Sequence, residues 1–175
     1  GVNKFIFEKD GLVKTIPIKL SRENRIKLGS NILLHFTNIT RKADNILSDQ
    51  KNNTRSNLNA LISLVDLVSV LEYEFNHENW DALGHLLKKN WEIKKNLAKG
   101  ITLPEIDEMV KIALESGATG VKISGAGGGG FLLSYVPRNI QDNFRNAMNK
   151  YVELPFMLEP FGTRIVYNMR RYNAR

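Results

Sequence analysis

From position 125 to position 130 the chain reads Gly-Ala-Gly-Gly-Gly-Gly, so five of its 13 glycines fall within six residues. A run of this kind is costly to order, because glycine gives up more backbone freedom on folding than any other residue. It supplies main chain without Cβ atoms, able to turn at positive φ, to present bare N–H groups to an anion, or to let another backbone come close. Residues 119–123 before it and 131–136 after it are apolar and β-type. A glycine loop strung between two strands therefore constrains everything else the chain can do.

Three common phosphate loops are excluded by context. Gly125, Gly127 and Gly130 match G-x-G-x-x-G, but the dinucleotide fingerprint must run from a strand into a helix, and here Phe131-Leu132-Leu133-Ser134-Tyr135-Val136 reads as strand. No Gly-Lys-Ser/Thr follows, which removes the Walker loop. The downstream Val-Ala-Ile-Lys, His-Arg-Asp and Asp-Phe-Gly elements of protein kinases are absent from the sequence.

The 175 residues suit one compact domain, or a small domain with part of another. With 25 basic and 18 acidic residues the formal charge is +7, which favours an anionic partner: a nucleotide, a sugar phosphate, RNA or a membrane surface. There is no cysteine, so disulfides and thiolate metal sites are excluded. No apolar run approaches the roughly 20 residues of a membrane span, and a soluble cytoplasmic protein is expected.

Along the chain, residues 4–8 and 12–18 are short β-type runs joined through Asp10-Gly11, a type I′ hairpin signal. Residues 21–28 read as a connector or short helical turn, and 31–36 as a strand that places Ile32, Leu34 and Phe36 on one face and Leu33 and His35 on the other. Residues 40–50 predict an amphipathic helix with Ala43, Ile46 and Leu47 inward, and 51–56 an exposed loop. Three longer helices follow, over 57–75, 79–99 and 102–116. The first is so broadly apolar that burial on more than one side is expected. The second should end at Gly100. In the third, Thr102 and Glu105 stand in capping-box register. A proline-opened helix over 137–151, with Ile140, Phe144, Ala147 and Met148 inward, and β-type runs at 152–158 and 163–167 complete the reading, before a basic, frayed tail at 170–175. The sum is α+β, an antiparallel sheet carrying helices on one face.

The stretch from Lys122 to Leu133 (Lys-x-x-Gly-Ala-Gly-Gly-Gly-Gly-Phe-Leu-Leu) resembles the third motif of the GHMP kinases. Asn38-Ile39-Thr40-Arg41-Lys42-Ala43, Ile46-Leu47, Asp49-Gln50 and Trp91-Glu92-Ile93-Lys94 ahead of Gly100-Ile101 are similar to the heptose-phosphate kinase branch. The resemblance implies a ferredoxin-like C-terminal domain over 21–175. Residues 1–20 would then be the last hairpin of an N-terminal domain that carries the main ATP loop and the catalytic base. It implies ATP and Mg²⁺, a sugar-phosphate acceptor phosphorylated at its anomeric hydroxyl, and an isolated chain without kinase activity.

By the same resemblance Gly125, Ala126, Gly127, Gly128 and Gly129 form part of the phosphate pocket. Arg41, Trp91, Lys94 and Lys122 are candidates for substrate or phosphate contacts, each with a plain alternative: surface arginine, core tryptophan, snorkelling lysine, solvated strand lysine. His35, His77 and His85 lack metal-ligand spacing and are expected to be structural or surface residues. A kinase for another small alcohol or sugar stays open. So does a basic module for RNA or a small ligand, although Gly130-Phe131-Leu132-Leu133 lacks the aromatic pattern of RNA-binding sheets.

Overall fold

The Asp10-Gly11 turn joins two antiparallel strands, β1 (Asn3–Phe7) and β2 (Val13–Pro17), in the computed structural model of the chain, which describes residues 1–41, 43–165 and 167. The turn differs from the type I′ expectation. Gly11 takes φ +86° while Asp10 keeps a negative φ, Gly11 N–H donates to Glu8 O at 3.1 Å, and Glu8 N–H donates to Leu12 O at 2.9 Å. This is a three-residue loop closed by a glycine bulge. The Asp10 side chain, which accepts from Leu12 N–H, stabilises it without itself needing a positive φ.

Residues 21–28 are more than a connector. Ser21 accepts from Asn24 N–H at 3.0 Å and caps a full helix, α1 (Arg22–Ser30), with Glu23 in its first turn and Lys27 in its last. Next come β3 (Ile32–Phe36), α2 (Ala43–Asn52), α3 (Leu58–Asn76), α4 (Ala82–Lys94), α5 (Pro104–Glu115), β4 (Gly120–Ile123), β5 (Phe131–Tyr135), a 3₁₀ turn (Arg138–Ile140) and α6 (Gln141–Ala147).

The main sheet is antiparallel in the order β3-β5-β4. Beyond β3 the chain returns at 152–154: Phe36 N–H donates to Val152 O, Leu154 N–H donates to Leu34 O, and His35 bridges Glu153. That is the ferredoxin-like βαββαβ order, with its fourth strand reduced to one bridge, and the α+β expectation holds. Leu33, Leu132, Val121 and Ile123 join a large core with Met109 and Ala113 of α5 and Phe144 and Met148 around α6. Ile32 and Tyr135, on the alternate residues, join a smaller cluster with Leu28, Phe75 and Trp80.

Helix α4 and strand β4 touch main chain to main chain: a Cβ on Gly120 would lie 1.7 Å from Gly84 O. This contact carries the C-terminal end of α4 toward the loop that follows β4.

Several expectations change. Helix α4 ends at Lys94, not at 99, because Leu97 and Ala98 turn back into the large core, where Asn57 Nδ2 donates to Leu97 O. The capping box at α5 does not form: Pro104 opens the helix and Thr102 Oγ1 donates to Asp107 Oδ1 instead. Helix α6 is half the expected length and leaves Ala147 exposed, and Leu47 of α2 is also exposed. Among the described residues α3 is buried on one side only, with Ile62 50 % and Val65 66 % exposed. Residues 163–165 form no strand; Val166 and the basic tail at 170–175 lie outside the described residues.

His35 is 2 % exposed, edge-on to Phe144, and its Nε2 lies 3.9 Å from Glu153, which Arg145 grips through two hydrogen bonds of 2.7 and 3.1 Å. Burial, and secondarily Arg145, push the imidazole below its ordinary 6.5, against the opposing pull of Glu153. As pH falls through 6.5 the unfolded chain takes up this proton first, so folding stability is lost with acidification. Urea midpoints measured from pH 7 to pH 5 should therefore fall, and His35→Leu should flatten the decline; an unchanged slope in the variant would overturn this assignment.

Candidate functional site

The loop between β4 and β5 has two unlike halves. Its rear is stitched to two distant segments: Gly128 N–H donates to Ile101 O at 2.7 Å and Gly130 N–H donates to Ile39 O at 2.9 Å. Gly130 O in turn accepts from both the N–H and the Oγ1 of buried Thr37, at 2.8 and 2.9 Å. A Cβ on Gly128 would stand 2.6 Å from Gly100 O and 2.7 Å from Ile46 Cδ1, and one on Gly129 would stand 2.5 Å from Ile39 O. Close approach of backbone to backbone is what these two glycines supply.

The front half opens outward at Ser124 and Gly125, while Ala126 packs on the large core and Gly127 backs onto Ile101. Ser124 and Gly125 are exposed, Ala126 and Gly127 half-buried, and a Cβ on Gly125 would meet nothing within 4 Å. Among the described residues the backbone N–H groups of Gly125, Ala126 and Gly127 donate to no acceptor. Three consecutive undonated amides on a glycine turn are an anion-binding element.

Charge is gathered at the same place. Lys94, the last residue of α4, donates from Nζ to the carbonyl of Gly125. Lys122 leaves β4 two residues before the loop, and its charge acts on Lys94. Burial, and secondarily Lys122, push the Lys94 ammonium down to about 8; burial also lowers Lys122. Among the described residues neither lysine forms an ion pair; nearby Glu92 is taken by Lys95 at 2.6 Å. Two partly desolvated cations without a carboxylate make a site for a negative ligand. Arg41 lies along the rear, its Nη1 2.7 Å from where a Cβ on Gly100 would stand and its Cδ 3.4 Å from one on Gly128.

The structure thus brings Arg41, Lys94, Lys122 and Gly125 to Gly129 to one loop. It does not bring Trp91 there: that side chain is 2 % exposed in the large core, which corrects its candidacy as a substrate contact. His77 Nδ1 lies 2.8 Å from Tyr73 O, and His85 is exposed on α4. Sequence reasoning missed Thr37, whose only outward sign is a hydroxyl residue just after a strand, and missed Ile39 and Ile101, which act through their carbonyls. No three His, Asp or Glu side chains converge among the described residues, and the charges at the loop are cationic. These residues do not fit the Mg²⁺ that the resemblance implies. What the arrangement can do is hold and neutralise a phosphate; its polar bonds among the described residues include no carboxylate to accept a proton.

Residues 71–154 match the family model described as GHMP kinases, C terminal. The chain is 29 % identical over 153 residues to a D-glycero-α-D-manno-heptose 7-phosphate kinase of Campylobacter jejuni, an alignment covering 86 % of this chain and 45 % of that protein. Its fold is similar to the crystal structure of a D-glycero-D-manno-heptose 1-phosphate kinase from Bacteroides thetaiotaomicron (TM-score 0.64, 19 % identity, 90 % of this chain and 42 % of that one). It is also similar to L. major mevalonate kinase in complex with R-mevalonate (TM-score 0.64, 18 % identity, 81 % and 43 %). The chain spans less than half the length of each.

Gly125 and Gly128 have nearly the same φ, +74° and +73°, and differ in the space around them. Alanine at either should cost about 1–2 kcal/mol for the left-handed conformation. At Gly128 the clash with Gly100 O should add a further ~1–3 kcal/mol, read as a lower urea midpoint. The Lys94 proton gives a second check. Because this ammonium titrates near 8, pyrophosphate affinity at constant ionic strength should fall as pH rises from 7 to 9. Affinity that holds to pH 10 would show that Lys94 takes no part.

Proposed function

The chain carries a GHMP kinase C-terminal domain, and from that premise we propose that it is the C-terminal part of an ATP-dependent sugar kinase. The acceptor in this reading is D-glycero-D-manno-heptose 7-phosphate, phosphorylated at its anomeric hydroxyl. Support for the acceptor comes from the alignment with the Campylobacter jejuni heptose 7-phosphate kinase. The single observation that carries the phosphate role is local: three amides, Gly125 to Gly127, that donate to no acceptor among the described residues, beside two lysines that form no ion pair among them.

Phosphoryl transfer is mainly positioning and neutralisation of charge, and ATP supplies the transferable phosphoryl group. Gly125, Ala126 and Gly127 present amides toward phosphate oxygens, while Gly128 and Gly129 hold the turn against Gly100 and Ile39. Arg41, kept over two residues without side chains, adds a planar guanidinium at the rear of the loop. The acceptor hydroxyl must give up its proton to a base elsewhere. In this reading residues 1–20 close a preceding domain, 21–175 form the C-terminal domain, and the principal nucleotide loop, the base and the Mg²⁺ ligands belong to that preceding part. Among the described residues no helix is long and apolar enough to cross a membrane. In this reading the kinase acts in the cytoplasm, where its ATP is.

The test is reconstitution. The purified 175-residue chain should not turn over ATP, whereas the chain extended by the matching N-terminal region should convert heptose 7-phosphate to the 1,7-bisphosphate, followed by ³¹P NMR. ATP turnover by the chain alone, or an extended enzyme that phosphorylates only mevalonate or unphosphorylated sugars, would overturn the assignment.

A further inference from the structure

Helix α3 carries a second apolar stripe that the core does not use. Leu61, Leu64, Leu71 and Phe75 pack inward, whereas Leu58, Ile62, Val65 and Tyr73 are 50 % to 66 % exposed among the described residues. With Ser69 between the last two, these residues recur at i, i+4, i+7, i+11 and i+15 and form one line along the helix. Val68 and Val70, each 45 % exposed, widen it on either side. The outward stripe of a solvated helix ordinarily bears charge, and none of the five residues on this line is charged. Four large side chains held half open to water along about 22 Å of helix mark an interface, unlike an isolated exposed leucine.

Charge says what covers it. Lys51 and Arg55 stand just before α3, and Glu74 and Glu78 stand at its end. None of the four forms an ion pair among the described residues, whereas Glu72 is taken by Lys4. One end of the element is basic and the other acidic, and the helix dipole has the same sense. A second copy laid antiparallel sets each end against its opposite; a parallel copy sets like against like. We infer that the outward face of α3 is the docking surface for a second copy of this chain, in an antiparallel, two-fold pairing. With the stripe laid over itself in reverse, Leu58 faces Tyr73 of the second copy, Ile62 faces Ser69, and Val65 lies beside the axis. Tyr73 is stiffened by the His77 ring, 4.3 Å away between centroids, which suits an anchor. Asp66, also beside the axis, meets its own counterpart, so the pairing carries one repulsive contact. None of this depends on the kinase reading.

Sedimentation equilibrium of the 175-residue chain tests the pairing. Between about 5 and 200 µM the mass should rise from the 19.9 kDa of one chain toward twice that value. Val65→Glu should weaken association at least about tenfold, and Asp66→Asn should strengthen it several-fold. Both positions are exposed, so melting temperatures should stay within a few degrees of the parent and show that the variants are folded. Orientation is read by oxidation, since the sequence has no cysteine of its own. Val65→Cys should cross-link to itself, and Leu58→Cys should cross-link with Tyr73→Cys in preference to itself. A parent that stays monomeric throughout, Val65→Glu that associates like the parent, Asp66→Asn that gains nothing, or Leu58→Cys that prefers itself overturns the proposal. So does a dimer that disappears when the chain is extended by the matching N-terminal region, because the face then belongs to that region.

Discussion

Two hydrogen bonds, Gly128 N–H to Ile101 O and Gly130 N–H to Ile39 O, join three stretches of chain that are remote in sequence. They form only because main chain can approach main chain where no Cβ intervenes, at Gly128 against Gly100 and at Gly129 against Ile39. Each buried amide and carbonyl so paired escapes a desolvation cost of about 1–3 kcal/mol. Without the stitching, the glycine run would be a floppy connection between two strands. With it, the rear is held against Ile39, Gly100 and Ile101, while Gly125 at the front stands in open space.

That division explains how a costly sequence becomes useful. The rear turns glycine's lack of a side chain into packing. The front turns it into accessible amides, and the surrounding fold adds charge. Lys94 reaches the loop because α4 lies main chain to main chain on β4 at Gly84 and Gly120, which brings the last turn of the helix beside the loop. Holding two cations half-buried without acids is unfavourable for folding at neutral pH, since both ammonium groups are easier to deprotonate here than in water. The large core, in which Ile101, Met109, Ile123, Leu132 and Phe144 are fully buried, is what offsets this.

The rest of the molecule serves as a frame. The sheet order β3-β5-β4 places the loop at one end of the central pair, and the return at 152–154 closes the far edge through a single bridge at His35. Asn31 Nδ2 donates to Tyr135 Oη, which donates to Asp81 at 2.7 Å, tying the start of β3, the end of β5 and the start of α4 together. The hairpin of β1 and β2 is pinned to α3 by Lys4 and Glu72 at 2.6 Å.

Local chemistry was legible in the sequence wherever one short stretch contained its own reason. The glycine loop between two strands, the strand read over 31–36 and the helix read over 57–75 follow from spacing and backbone preference alone, whereas the start of α5 does not, since Pro104 displaces the expected Thr102–Glu105 capping box. What the sequence could not decide was which groups meet. Lys94 and Gly125 are 31 residues apart, and Thr37 and Gly130 are 93 apart. The fate of the broad apolar face of α3 and the withdrawal of Trp91 into the core were decided the same way. Hydrophobic pattern says that a residue should be buried, not against what; only the packing of α4 on β4 and of the loop on Ile39 and Ile101 settled that. The sequence determined that a glycine turn joins these two strands, and tertiary structure alone decided which of its amides stay undonated among the described residues and which cations stand beside it, because those meetings are a property of the fold and not of the chain.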